Sequence, residues 1–171
     1  MVLTGRELAR RGWLLRSGGS PGADRAFEKG CDLGGGAKEI FLPWSGFNGS
    51  DSPLFETPTG AVELARKIHP GLNRRSPRVQ KLRSRNVCQI LGASLREPSR
   101  LVVAWTENAV PSGGSATVLR IAEERGIPVI NLAEPAYAGS ADEAVLKHVV
   151  EKAQVIADQV MHEAEKFRPL K

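Results

Sequence analysis

Short apolar runs alternate along the chain with longer stretches of helical period. "WLLR" and "EIFLP" are brief runs that end at turn residues, and "ADRAFEKGCDLGGG" between them has helical spacing and a glycine stop. "RLVVAW" and "IPVINLA" bracket "GGSATVLRIAEERG" in the same way, so the order strand, Gly-rich turn, helix, strand occurs twice. Two such units predict an α/β fold with a parallel sheet flanked by helices and joined by right-handed crossovers. Ahead of them, "LTGRELARRG" offers Thr4 as N-cap with Glu7 three residues later, a capping-box pattern, and Gly12 as a stop; a helix over 4–11 follows. In "SPRVQKLRSRNVCQILG", Ser76 suits the N-cap, Pro77 the first helical position and Gly92 the stop.

Two segments depart from this rhythm. "WSGFNGSDSPLFETPTG" is long for a loop in a compact domain, and Trp44, Phe47 and Phe55 argue that it is ordered. Base stacking by Trp44 and Phe47 and packing of the loop onto its own domain both remain open. At the other end, Ser140 and Glu143 form a second capping box, opening a pattern that runs to about Phe167. Such a helix is roughly 40 Å long, more than the domain needs. Its apolar stripe of Val145, Val149, Ile156 and Val160 predicts packing on another subunit, hence a homo-oligomer. The organisation expected is one Rossmann-like domain over 1–139 and a C-terminal oligomerisation helix over 140–171.

Composition narrows the partners. A chain of 171 residues suits one domain, and a net charge of +5 favours anionic ligands. Cys31 and Cys88 have no CxxC or CxxH spacing, so neither a disulfide framework nor a metal site is read, and no cofactor is called for. "MVLTGRELARRGW" lacks the apolar core of a signal peptide, and no run approaches the roughly 20 residues that span a bilayer. A cytoplasmic protein without membrane partners is expected.

On a helical wheel of the segment from Ser76 to Gly92, Val79, Val87 and Ile90 share a face, and Arg83 and Asn86 fall in the middle of it. Arg78, Lys81 and Arg85 cluster opposite, where a solvated charged face is the ordinary explanation and nucleic-acid contact the alternative. An inward arginine needs a partner. For Arg83 that is an internal carboxylate, with Asp24 the obvious candidate, or an anionic ligand. "SGGSPGAD" and "PSGGSAT" are both turns from a strand's carboxyl end into a helix N-terminus, where unpaired N–H groups and the helix dipole favour a phosphate.

These segments carry a resemblance. "SGGSPGADRAFEKG", then "RSRNVCQILG", then "VVAWTENAVPSGGSATVLRIAEERGIPVINL" is similar to the superfamily of Rossmann-like nucleotide-binding domains that includes the DNA-processing protein DprA and the lonely-guy cytokinin-activating enzymes, with small DprA-like proteins the nearest in pattern. It covers residues 12 to 132 and is more specific for fold than for activity. It implies phosphate or sugar contacts for Ser17, Gly18, Gly19 and Gly22, with Asp24 orienting the loop or meeting a hydroxyl. Arg83 and Asn86 match the family's Arg/Asn pair, and Ser112, Gly113, Gly114, Ser115 and Thr117 its second phosphate turn. Two departures stand out. The glutamate that follows the threonine by three residues in lonely-guy enzymes is Arg120 here, leaving Asp24 or Glu107 as carboxylates for any glycosidic chemistry. The chain also begins almost at the first helix, where relatives begin with a strand; a missing central strand predicts a gap, a rearranged sheet or a site completed by another chain.

Three functions fit this reading. The first is binding of a nucleotide or nucleotide-derived ligand through the two turns and the Arg83/Asn86 pair. The second is DprA-like binding of single-stranded DNA, supported by "NRRSPRVQKLRSR" and the net charge. The third is hydrolysis of the N-glycosidic bond of a nucleoside monophosphate.

Overall fold

The computed structural model describes residues 1–110, 113–137 and 140–166. Among them the order is α1 (Val2–Arg10), β1 (Leu15–Ser17), α2 (Ala23–Gly34), β2 (Lys38–Ile40), α3 (Thr59–Ile68), α4 (Pro77–Leu91), β3 (Val102–Ala104), α5 (Ser115–Glu124), β4 (Val129–Asn131) and α6 (Asp142–Lys166). Both strand–helix–strand units form, and both strand pairs are parallel: Leu15 lies opposite Lys38, and Val102 opposite Val129. They do not join. The four strands found among the described residues make two separate two-stranded sheets, β1–β2 and β3–β4, and a continuous Rossmann-like sheet is not formed.

What fills the middle is α4. Its start follows from Ser76 and Pro77 and its end from Gly92, at φ 76°, as the turn chemistry requires. Five consecutive residues, Ser84 to Cys88, are buried. A helix on the outside of a sheet buries one stripe; a run of five means that this half of α4 is covered all round. On one side Ile90, Leu91 and Val87 meet Ala61 and Ala65 of α3 and Ile121 and Ala122 of α5, forming the main core with Val102 and Val129 of the second sheet against it. Burial of side chains such as Ile90, Leu91 and Ile121, each 1% exposed, contributes about 1.5–3 kcal/mol apiece. A smaller cluster of Ile40, Leu42 and Phe47 lies at the end of the first sheet.

The first capping box does not close. Helix α1 starts two residues before Thr4, its N-cap is Met1, and Glu7 pairs with Arg11 at 3.0 Å. Thr4 is buried, since α1 lies against α2 so closely that a Cβ on Gly5 would sit 2.8 Å from the Phe27 carbonyl oxygen and one on Gly30 would strike that of Val2. The long helix α6 forms as the period predicts, up to the last described residue. Its stripe is spent partly within the chain: Val149 and Ala153 are fully buried and the helix packs on α1, while Val155 and Met161 are exposed. No described helix is long and apolar enough to cross a membrane.

Candidate functional site

The first Gly-rich turn leaves the carboxyl end of β1, the second follows β3 after a segment with a 3-10 turn at Glu107–Ala109, and α4 reaches both with neighbouring side chains. Toward the first turn it sends Arg85, whose Nη1 donates to the carbonyls of Gly18 and Phe41 (3.1 Å for the latter) and whose Nη2 donates to Ser20 Oγ (3.3 Å). Gly18 is required here, because any Cβ would collide with this guanidinium. Toward the second turn α4 sends Arg83, which donates to the Gly113 carbonyl and to Thr117 Oγ1 (3.4 Å), and Asn86, which donates to the Gly114 carbonyl at 2.8 Å. Arg85 therefore does not lie on a solvated face: it is 3% exposed and strapped to the first turn. The helical wheel misplaces it because it presumes one buried face. Burial pulls the Arg85 pKa down, and Asp24, Cys88 and Glu28 act against that; Asp24 is thus near Arg85 and is not the partner of Arg83.

The first turn is satisfied from inside the chain. Ser17 Oγ and the Gly19 amide donate to Glu28 Oε1 (2.7 and 3.1 Å), the Ser20 amide donates to Asp24 Oδ2 (3.0 Å), and Asn48 Nδ2 donates to the Gly19 carbonyl (3.0 Å). Glu28 is 6% exposed, and its other oxygen lies 3.4 Å from Arg25. Two carboxylates already occupy the amides that a phosphate would need. Gly22 caps α2 without touching any of these groups through a side chain.

The second turn is built the opposite way. Gly113 and Gly114 are exposed, α5 has no side-chain cap, and the groups around its first turn are cationic. His69, at the end of α3, places Nε2 2.8 Å from Thr117 Oγ1 and 3.4 Å from Arg83 Nη1. Arg120 donates to the Ile68 carbonyl at 2.8 Å, which brings its guanidinium beside His69. Burial, Arg83 and Arg120 together lower the His69 pKa, and burial, Arg75 and Arg120 lower that of Arg83. Among the described residues, Arg75, Arg83 and Arg120 enter no ion pair. Arg83 therefore sits at a helix N-terminus with Arg120, further along α5, and Arg75 close enough to act on it, and none of the three is paired with a carboxylate among the described residues. No family model, no curated protein and no solved structure matches the chain.

Of the site residues read from sequence, Arg83, Asn86, Gly113, Gly114 and Thr117 come together at the second turn, with Ser115 opening α5; Ser112 lies outside the described residues. Ser17, Gly18, Gly19, Gly22 and Asp24 belong to the first turn, where the internal carboxylates sit. Phe47 is 7% exposed, packed with Ile40 and Leu42, edge-on to Trp44 at 5.0 Å and beneath the Arg85 guanidinium; packing has taken its ring. Trp44 is half-buried, with Arg78 5.5 Å from its ring centre. His69 and the positive role of Arg120 carry no local sequence signal. Neither does the buried pair in which Asn131 Nδ2 donates to Thr106 Oγ1 (2.7 Å), tying the ends of β3 and β4 ahead of the second turn. Two clefts, of about 320 and 280 Å³, lie elsewhere, the one lined by Val2, Ala26 and Val145 and the other by Val62, Gln80 and Ser84. The surface at the start of α5, with Gly113 and Gly114 exposed, is here called the shelf.

Proposed function

We propose that this chain binds the phosphate of a nucleotide or nucleotide-derived ligand on the shelf at the N-terminus of α5. The observation that carries the reading is Arg83 at that helix end, under the field of Arg75 and Arg120, with none of the three in an ion pair among the described residues. Cations this close repel one another, and an anion relieves the repulsion while accepting from the first amides of α5. The first turn enters as a support: its amides are held by Glu28 and Asp24, so a ligand reaching it meets carboxylates and is recognised there through hydroxyl or amino donors. None of the ion pairs among the described residues joins a carboxylate to Arg75, Arg83 or Arg120, and the proposal is one of binding, not of glycosidic cleavage.

The test is a thermal-shift and calorimetric screen of nucleoside mono-, di- and triphosphates, since a ligand of the native state raises apparent stability by mass action. Binding of at least one nucleotide, lost in Arg83→Ala, supports the reading; no shift with any of them removes it.

A second reading, binding of single-stranded nucleic acid, draws on the exposed ridge of Arg74, Arg75, Arg78 and Lys81 and on Arg78 over Trp44. It requires steep salt dependence, since affinity falls with each phosphate neutralised, whereas one phosphate on the shelf depends on salt weakly.

A further inference from the structure

Resting on that reading of the shelf, we infer that His69 gauges the charge of the bound anion: it takes up a proton when a dianion binds and stays neutral under a monoanion, and so sets a preference for a doubly charged group. The imidazole is placed for this by contacts from three directions. Thr117 Oγ1 lies 2.8 Å from Nε2, Arg83 Nη1 lies 3.4 Å from the same nitrogen, and Arg120 is anchored to the carbonyl of the preceding residue, Ile68. In the tautomer with its proton on Nδ1, the Nε2 lone pair accepts from Thr117 Oγ1 and faces the Arg83 guanidinium, which only donates. The charged groups facing the ring are Arg83 from α4 and Arg120 from α5, with Arg75 acting on Arg83 from the segment before α4; none is a carboxylate.

This composition makes the ring's protonation depend on its guest. Without an anion, burial first and then Arg83 and Arg120 oppose an imidazolium. A monoanion offsets one guanidinium and leaves the field at the ring positive. A dianion offsets two, and what remains is burial, the largest cause of the lowering, against which the anion's own negative charge acts. Once protonated, Nε2–H donates to Thr117 Oγ1, which has acceptor capacity to receive it. Binding of a dianion thus draws one proton from solution in the range just above the empty-site pKa, which lies below the ordinary histidine value of about 6.5. Affinity for a dianion therefore rises as pH falls toward that range, and affinity for a monoanion changes little.

Sulfate and methyl sulfate separate the two cases, because they differ by one charge and neither titrates between about pH 5.5 and 8. The expected result is a His69 ring-proton NMR titration midpoint raised by about one pH unit in saturating sulfate and nearly unmoved in methyl sulfate, with the resonance assigned by its loss in His69→Gln. Sulfate affinity should rise on the order of tenfold from about pH 7.5 to 5.5 in the unaltered protein, since a midpoint raised by about one pH unit corresponds to a tenfold change in affinity, and should be flat with pH in His69→Gln. The midpoint measurement is made on the unaltered protein, and loss of the other two ring resonances in His148→Gln and His162→Gln assigns the third to His69, so it stands if His69→Gln folds poorly. A midpoint that sulfate does not move, although sulfate binds and Arg83→Ala abolishes the binding, overturns the inference and leaves the shelf intact. Failure of sulfate, phosphate and nucleotides alike to bind overturns both.

Discussion

The two glycine-rich turns look alike as strings and differ as sites. Each follows a strand, each opens a helix, and each has its carbonyls held by α4. At the first, the amides of Gly19 and Ser20 donate to Glu28 and Asp24, and the nearby cation, Arg85, is buried among carbonyls. At the second, the glycines are exposed and Arg83, Arg120 and His69 surround the helix end with no acid among the described residues. A Gly-rich turn therefore supplies only the geometry of an anion site; the side chains that arrive from elsewhere in the fold decide whether the place is already filled. In one turn the chain has supplied its own anions, and in the other, among the described residues, it has supplied cations.

That contrast is broken most sharply by the two arginines. Arg85→Ala leaves the Gly18 and Phe41 carbonyls without their buried donor and a hole beside Phe47, and should cost about 3 kcal/mol, in the range of other losses of buried charged hydrogen-bonding groups. Arg83→Ala, at a half-exposed position beside other cations, should cost less than about 1 kcal/mol. Urea unfolding of the two variants measures the difference. Equal costs would mean that the shelf is as much a structural clasp as the first turn. Binding should rank the other way: Arg83→Ala loses more than about tenfold in sulfate or nucleotide affinity, a hydrogen bond to a charged group being worth about 1.5–3 kcal/mol.

Next in size is Glu28→Ala, which strands the buried Ser17 hydroxyl and the Gly19 amide. About 2 kcal/mol of stability should be lost, with sulfate affinity at the shelf unchanged. A variant that instead gains a second sulfate site, seen as a change in calorimetric stoichiometry, would show that Glu28 alone keeps the first turn from binding anions. Such a result would sharpen the comparison to a single carboxylate.

Much of this arrangement is legible in the chain, and the rest fails for one physical reason. Ser76, Pro77 and Gly92 delimit α4 because caps are local chemistry, and the parallel pairs follow from the repeated strand–helix–strand pattern. The inward direction of Arg83 and Asn86 follows from helical period. Arg85 does not, because α4 runs between the two halves of the fold and is buried on every side over Ser84–Cys88, an arrangement that a one-face wheel cannot express. His69 precedes a proline in an ordinary polar segment; its meaning comes wholly from Thr117 and Arg83, residues 48 and 14 positions away. The capping box at Thr4 lost to tertiary packing, since burying Thr4 against α2 outweighs one side-chain cap.

The smallest effect separates the empty shelf from the filled first turn by pH alone. His69 has its folded-state pKa lowered, first by burial and then by Arg83 and Arg120. The unfolded chain therefore binds the proton more readily, and the contribution of a neutral His69 is complete above the unfolded value of about 6.5 and is lost as pH falls through the lower folded value. Without anions, urea midpoints should decline from about pH 7 toward about pH 5 more in the unaltered protein than in His69→Gln. Sulfate should flatten or reverse that difference, because it supplies the negative charge that the arginines lack, whereas Glu28→Ala, which alters only the first turn, should leave the His69-dependent part of the slope as it was. If the slope difference between the unaltered protein and His69→Gln is absent, the arginines do not act on the imidazole, and the electrostatic distinction between the two turns reduces to the carboxylates of the first.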